Sequence, residues 1–139
     1  MQMAIRENYS RKREAVYEVV ASTKTHPSVD WVYERIRKIY PDVSLATVYR
    51  NLKRFCEQGR VKSIGVVNGQ ERFDADVSDH SHFVCKECGK VLDIPESFLL
   101  PEMLDALGEQ YGFDFHRSEV RFSGVCSACK AEEEAAKSA

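Results

Sequence analysis

Apolar residues recur at helical spacing in three successive windows and then switch to alternation, so the chain reads as three helices, a hairpin and a mixed second half. Ala15, Val16, Val19 and Val20 predict a first helix over residues 10–22, with Ser10 as its cap and Arg11, Lys12 and Arg13 in its first turn. Basic residues there oppose the helix dipole, which suits a phosphate-facing end as well as an ordinary solvated charge run. The turn Thr25-His26-Pro27-Ser28 caps a second helix, whose stripe is Val32, Ile36 and Ile39 and which Pro41 ends. Ser44 caps a third helix over residues 45–58, and Gly59 terminates it. Its expected buried stripe is Leu45, Val48, Leu52 and Phe55, which turns Ala46, Thr47, Arg50, Lys53 and Arg54 outward and leaves Tyr49 at the margin.

Two alternating runs, Val61 to Val67 and Gln70 to Asp74, flank Asn68-Gly69, the turn that right-twisted strands prefer. Three helices followed by such a hairpin is the order of a winged helix-turn-helix. On that reading the third helix is a major-groove reader: small Ala46 and Thr47 allow close approach, then Tyr49, Arg50, Lys53 and Arg54 supply donors and cations. A basic surface helix of no special purpose is the competing reading of this feature alone. Cys56, beside Phe55, reads as a packing residue, because nothing near it in sequence would activate a thiolate.

Residues 76–79 are polar, break both periodicities and form the natural hinge. Beyond them the pattern predicts strands over 82–84 and 90–94, a helix from Pro101 to about Tyr111, and a longer strand over 113–125. Met103, Leu104 and Leu107 cover one face of that helix. Residues 130–139 are charged and alanine-rich, a frayed helix or a disordered tail. The fold class is therefore α+β: a winged helix-turn-helix domain over 1–75, a hinge over 76–79, a small α/β dimerisation and metal-sensing domain over 80–130, and a tail over 131–139.

Charge changes the picture. The 139 residues carry a net −2, but residues 1–74 hold +5 and residues 75–139 hold −7. A basic front half joined to an acidic back half fits a nucleic-acid-binding domain followed by a sensing or assembly domain. No apolar run approaches the roughly 20 residues of a membrane span, and the N-terminus lacks the apolar core of a signal peptide, so a cytoplasmic location is expected.

Residues 74–93 concentrate the candidate chemistry. Cys85 and Cys88 have knuckle spacing with Gly89 for the tight turn, and Cys126 and Cys129 repeat that spacing, so four thiolates can fill one tetrahedral zinc site. Two disulfides are the competing reading, disfavoured by the odd total of five cysteines. His80 and His82, two apart, point the same way from a strand, and Asp93 follows on the return strand. They read as a second site of nitrogen and oxygen, open to Mn, Fe, Co, Ni or Zn, or as additional zinc ligands.

Ser44-Leu-Ala-Thr-Val-Tyr-Arg-Asn-Leu52, Arg72-Phe-Asp74, Asp79-His-Ser-His82 with Cys85-x-x-Cys88-Gly-Lys, and Gly124-Val-Cys126-x-x-Cys129 resemble the ferric-uptake-regulator (Fur) superfamily, in order and over nearly the whole chain. The resemblance implies a homodimeric, metal-dependent winged-helix repressor of double-stranded operator DNA, paired through residues 90–125, with structural Zn2+ on Cys85, Cys88, Cys126 and Cys129. Within the superfamily the chain is similar to the peroxide-sensing branch (PerR), which implies regulatory Fe2+ or Mn2+ on His26, Asp74, His80, His82 and Asp93. Iron-catalysed oxidation by hydrogen peroxide is then implied at His26 and His80. Aspartate rather than glutamate at Asp93, and Asp-His-Ser-His rather than His-His-Asp-His, favour that branch over a metal-uptake regulator without peroxide chemistry.

Departures from the family pattern fall in two places. Tyr9-Ser-Arg-Lys-Arg13 stands where the family has a Thr-Pro-Gln-Arg type of lead-in, which bears on duplex contacts from Arg11 and Arg13. An additional metal site of many iron-uptake members lacks its aspartate at Ser81 and its histidine at Ser118, with His116 a conceivable substitute. The expected role is a regulator and not an enzyme, since five protein ligands leave little room for water and substrate. A zinc-storage or metal-delivery protein is the reading from a different class, separable by whether the chain shows salt-sensitive duplex binding.

Overall fold

Two serine caps organise the first helices. Ser28 accepts a hydrogen bond from the Trp31 amide and starts α2, Val29–Ile39, while Ser44 accepts from the Thr47 amide and starts α3, Leu45–Glu57. The structure, a computed structural model, describes residues 2–95, 98–116 and 118–138. It divides into two units, Met1–Val77 and Ser78–Ala139.

In the first unit α1, Gln2–Ala21, packs with α2 and α3 around Val16, Val20, Val32, Ile36, Val48, Leu52 and Phe55. Strands β1, Lys62–Val67, and β2, Gln70–Asp74, form the antiparallel wing and close that core with Phe73. Burial of each such side chain contributes about 1.5–3 kcal/mol. Asn68 and Gly69 both have positive φ, 50° and 80°, as a two-residue turn of this hand requires.

Three expectations for this unit change. Helix α1 starts at Gln2, so Ser10 lies inside it and does not cap it, and Arg11, Lys12 and Arg13 stand mid-helix, away from the positive end of the dipole. Ile39 and Leu45 are 61% and 43% exposed. Each occupies the terminal position of its helix, where the apolar stripe runs past the packed contact.

In the second unit β3, Ser81–Cys85, is central: β4, Val91–Ile94, pairs with it antiparallel and β5, Arg121–Gly124, pairs with it parallel. Helix α4, Pro101–Tyr111, begins on a proline and ends at Gly112 with φ 72°, and α5 runs over Ser127–Ser138. The long strand expected over 113–125 shrinks to β5, as long as its pairing with residues 82–85 of β3 allows. Arg117 of that stretch lies outside the described residues. The alternation that suggested the strand serves side-chain contact instead: Phe113 stacks on Tyr111 at 5.7 Å and meets Phe115 edge-on at 6.4 Å. The tail expected over 131–139 is α5 as far as Ser138, because alanine and glutamate are strong helix formers; Ala139 lies outside the described residues. Helix α4 buries none of its residues, so the face of Met103, Leu104 and Leu107 is not covered within the unit.

Candidate metal centres and nucleic-acid face

Strand β3 delivers Cys85 to a tight turn in which Gly89, at φ 74°, donates to the Cys85 carbonyl oxygen at 2.9 Å. That turn presents Cys88. Cys126 follows β5, and the first turn of α5 supplies Cys129. All four sulfurs lie within 4.8 Å of one another, with Cys88 and Cys126 at 3.7 Å. A tetrahedral zinc with Zn–S bonds of about 2.3 Å requires sulfurs about 3.8 Å apart, so the thiols fit that ion.

Main-chain amides of Cys88 and Cys126 pull the Cys85 thiol down to about 6. The Cys129 amide lowers Cys126, whereas Cys129 itself is raised by sharing its proton with Cys126. The four thiols are spaced and polarised to suit a zinc ion.

The first unit holds an imidazole–carboxylate pair. Buried His26, 1% exposed, reaches Asp74 with its Nε2 at 3.2 Å from Oδ2. His26 has φ 56°, unusual for a residue preceding proline. Strand β2 holds it there: the Arg72 guanidinium donates to the carbonyl oxygens of Thr25 and His26, and the Phe73 amide donates to that of Pro27 at 2.9 Å. The Asp76 amide donates to Asp74 Oδ1 at 2.9 Å and orients the carboxylate.

The second unit holds a triad. His82 and Asp93 are direct cross-strand partners, and Nε2 of both His80 and His82 converges on Asp93 Oδ1, at 2.9 and 3.3 Å. His80 Nδ1 lies 2.8 Å from the Ser78 carbonyl oxygen, which can only accept. Nδ1 therefore donates there, as the second ring nitrogen of a metal-binding imidazole usually does to a main-chain carbonyl, and Nε2 is the nitrogen turned toward Asp93. Two imidazole nitrogens and a carboxylate oxygen in this array suit a divalent transition metal. The supporting roles of Ser78 and Arg72 have no sequence signal, because a main-chain acceptor leaves no signature in residue type.

On α3, Arg50 and Arg54 are exposed and Tyr49 is 44% exposed. Thr47 is half-buried and occupied by the cap, its Oγ1 2.8 Å from Ser44 Oγ and 3.3 Å from Arg50 Nη2. Lys53 is turned to the wing and ion-paired with Glu71 at 2.7 Å. On α1, Arg11 is exposed and Arg13 half-buried. Cys56 is half-buried against the core with its thiol pushed up by burial, as a packing residue would be. His116 is exposed.

Comparison with known proteins gives one consistent answer. The Ferric uptake regulator family profile matches residues 6–123. The peroxide operon regulator of Bacillus subtilis (strain 168) is 34% identical over 122 residues, covering 88% of this chain and 83% of that one. The peroxide-responsive repressor PerR of Staphylococcus aureus is 31% identical over 86% of this chain and 80% of its own. Among solved structures, the Campylobacter jejuni peroxide stress regulator superposes with a TM-score of 0.74 at 33% identity, covering 92% of this chain and 97% of that one.

Proposed function

The chain belongs to the ferric uptake regulator family, and we propose that it represses transcription from operator DNA until hydrogen peroxide destroys its regulatory site. The observation that carries this is the convergence of two imidazole Nε2 atoms on one Asp93 oxygen, in a chain similar to peroxide-responsive repressors over most of its length.

The regulatory Fe2+ or Mn2+ is held by His26, Asp74, His80, His82 and Asp93. Ligands drawn from both sides of the hinge at 76–79 tie the winged-helix domain, 1–75, to the sensing domain, 80–130. Two copies pair through the exposed apolar face of α4, where Met103 is 48% and Leu107 38% exposed. The tie then sets the separation of the two α3 helices, which must match half-sites ~34 Å or a multiple apart. Thr47, Tyr49, Arg50, Arg54, Arg11 and Arg13 meet the duplex. The protein works in the cytoplasm, and no helix among the described residues is long and apolar enough to cross a membrane.

When bound, ferrous iron would activate the peroxide O–O bond so that the ring it oxidises is the net electron donor, which Mn2+ would not do. His26 and His80 present ring carbons to that chemistry; each ring oxidised gains one peroxide oxygen at C2, and the other oxygen leaves as water. An oxidised ring is a poorer ligand, the tie is lost and the operator is released. Operator binding by the Fe2+ and Mn2+ forms, measured before and after peroxide, tests this: loss confined to the Fe2+ form is expected. Equal survival of both complexes would leave a metal-responsive regulator without peroxide chemistry.

A further inference from the structure

One carboxylate joins the recognition helix to both strands of the wing. Glu71, on β2, accepts from Lys53 Nζ of α3 at 2.7 Å and from Ser63 Oγ of β1 at 2.7 Å, both on Oε1. The Ser63 hydroxyl in turn accepts from the Gly65 amide at 3.3 Å, across the irregularity in the β1–β2 register. Lys53 also lies over the Tyr49 and Phe73 rings, 5.4 and 5.9 Å from their centroids. Side-chain exposure is 39% for Lys53 and 23% for Glu71, so the pair is partly withdrawn from water. Burial pushes the Glu71 carboxyl up, but the hydrogen bonds from Lys53 and Ser63 outweigh it and leave it below its ordinary value; Lys53 is raised by its bond to Glu71.

We infer that Lys53 is not a phosphate ligand but a strut that sets the wing on the recognition helix through Glu71. The inference rests on α3 being the helix that meets the duplex. A lysine that binds phosphate displaces a counterion from the DNA, whereas one already neutralised by a carboxylate displaces none of its own. The positive charge offered by α3 is accordingly that of Arg50 and Arg54, and Glu71 is a positioning residue for the wing.

The test uses the full-length protein loaded with zinc and Mn2+ and a duplex enriched by the wild-type protein from a random-sequence pool. Affinity is measured against salt concentration for Lys53→Met, Glu71→Gln, the double variant, Lys53→Arg, Arg50→Met and Arg54→Met, with melting curves to confirm folding. Lys53→Met is expected to weaken binding by about threefold to tenfold while leaving the slope of log affinity against log salt unchanged. The double variant should be no weaker than Lys53→Met, because the strut is already gone, and Lys53→Arg should bind like wild type by retaining the carboxylate contact. Arg50→Met and Arg54→Met should each reduce the slope by about 1.8, about 0.9 for each of the two copies on the site. A slope lowered by about 1.8 in Lys53→Met, about 0.9 for each of the two copies, or additive losses in the double variant, would overturn the strut. If the two arginine variants also bind with wild-type affinity and slope, α3 does not face the duplex, and the reading on which the strut rests has failed first.

Discussion

Arg72 holds His26 from its main-chain side: the guanidinium donates to the His26 carbonyl oxygen, and its Nη2 donates to the Thr25 carbonyl oxygen at 2.6 Å. Two residues further along the same strand, and so on the same face of it, Asp74 meets the His26 ring at 3.2 Å. One strand therefore fixes both the backbone and the imidazole of a residue at φ 56°, a conformation that costs of order 1–3 kcal/mol and persists because its surroundings enforce it.

Removing that enforcement should weaken metal binding without unfolding the domain. Arg72→Met keeps the side-chain stem against the loop but loses the donors, and Mn2+ affinity is expected to fall by about 10- to 100-fold, the usual effect of losing a partner that orients a ligand. Calorimetric titration of the zinc-loaded protein with Mn2+ measures this. Unchanged affinity would mean that the Phe73 amide and Asp74 suffice to hold the loop.

The sequence made some of this visible and concealed the rest for identifiable reasons. Ser28, Ser44 and Asn68-Gly69 are local signals, each acting within four residues of itself, and the helix starts and turn they announce are present. The cysteine pairs are equally local. Features that depend on tertiary partners were hidden: β5 is limited by what β3 can pair, and Phe113 and Phe115 alternate without being in a strand. The outward position of Lys53 on the α3 stripe was legible; that Glu71 would claim its charge was not, because the two are 18 residues apart.

Zinc uptake should release fewer protons near neutrality than four ordinary thiols would give up. In the metal-free cluster Cys85 is lowered from 9.0 to about 6 and Cys126 is lowered as well, so part of the charge zinc needs already exists, while raised Cys129 still carries its proton. The sign follows from Cys85: a depressed folded value favours the folded cluster fully above pH 9.0, less as pH falls, and not at all below about 6. Zinc affinity should fall more steeply with acid below about 6, where the Cys85 proton must also be displaced. Titrations in buffers of different ionisation enthalpy count the protons, and release of a full four at neutral pH would contradict the lowered thiols.

Helix α4 gives a test of pairing that spares the fold. Because it buries no residue within its own unit, Leu107→Lys and Met103→Glu should leave the melting temperature of the wing domain unchanged and shift the protein from dimer to monomer in analytical ultracentrifugation. Operator affinity should fall with the dimer, since two recognition helices on one site bind as a unit. A dimer that persists in both variants would place the interface elsewhere.

Peroxide should mark residues in an order opposite to their exposure. A diffusing oxidant reaches side chains in proportion to their access to solvent, and would take Met103, 48% exposed, and exposed His116 well before His26, which is 1% exposed. Chemistry generated at a regulatory metal reaches its own ligands first, whatever their burial. Peptide mass spectrometry of the iron-loaded protein after one equivalent of peroxide is therefore expected to show one added oxygen on the peptides holding His26 or His80, with His116 and Met103 unmodified and the Mn2+ form unchanged. Asp93→Asn, which removes the carboxylate charge facing both His80 and His82, should abolish the His26 and His80 signals while leaving bulk oxidation of Met103 at high peroxide intact. Oxidation led by His116 and Met103 in the iron-loaded wild type would mean that peroxide attacks the surface indiscriminately, and the site described here would not be where it is sensed.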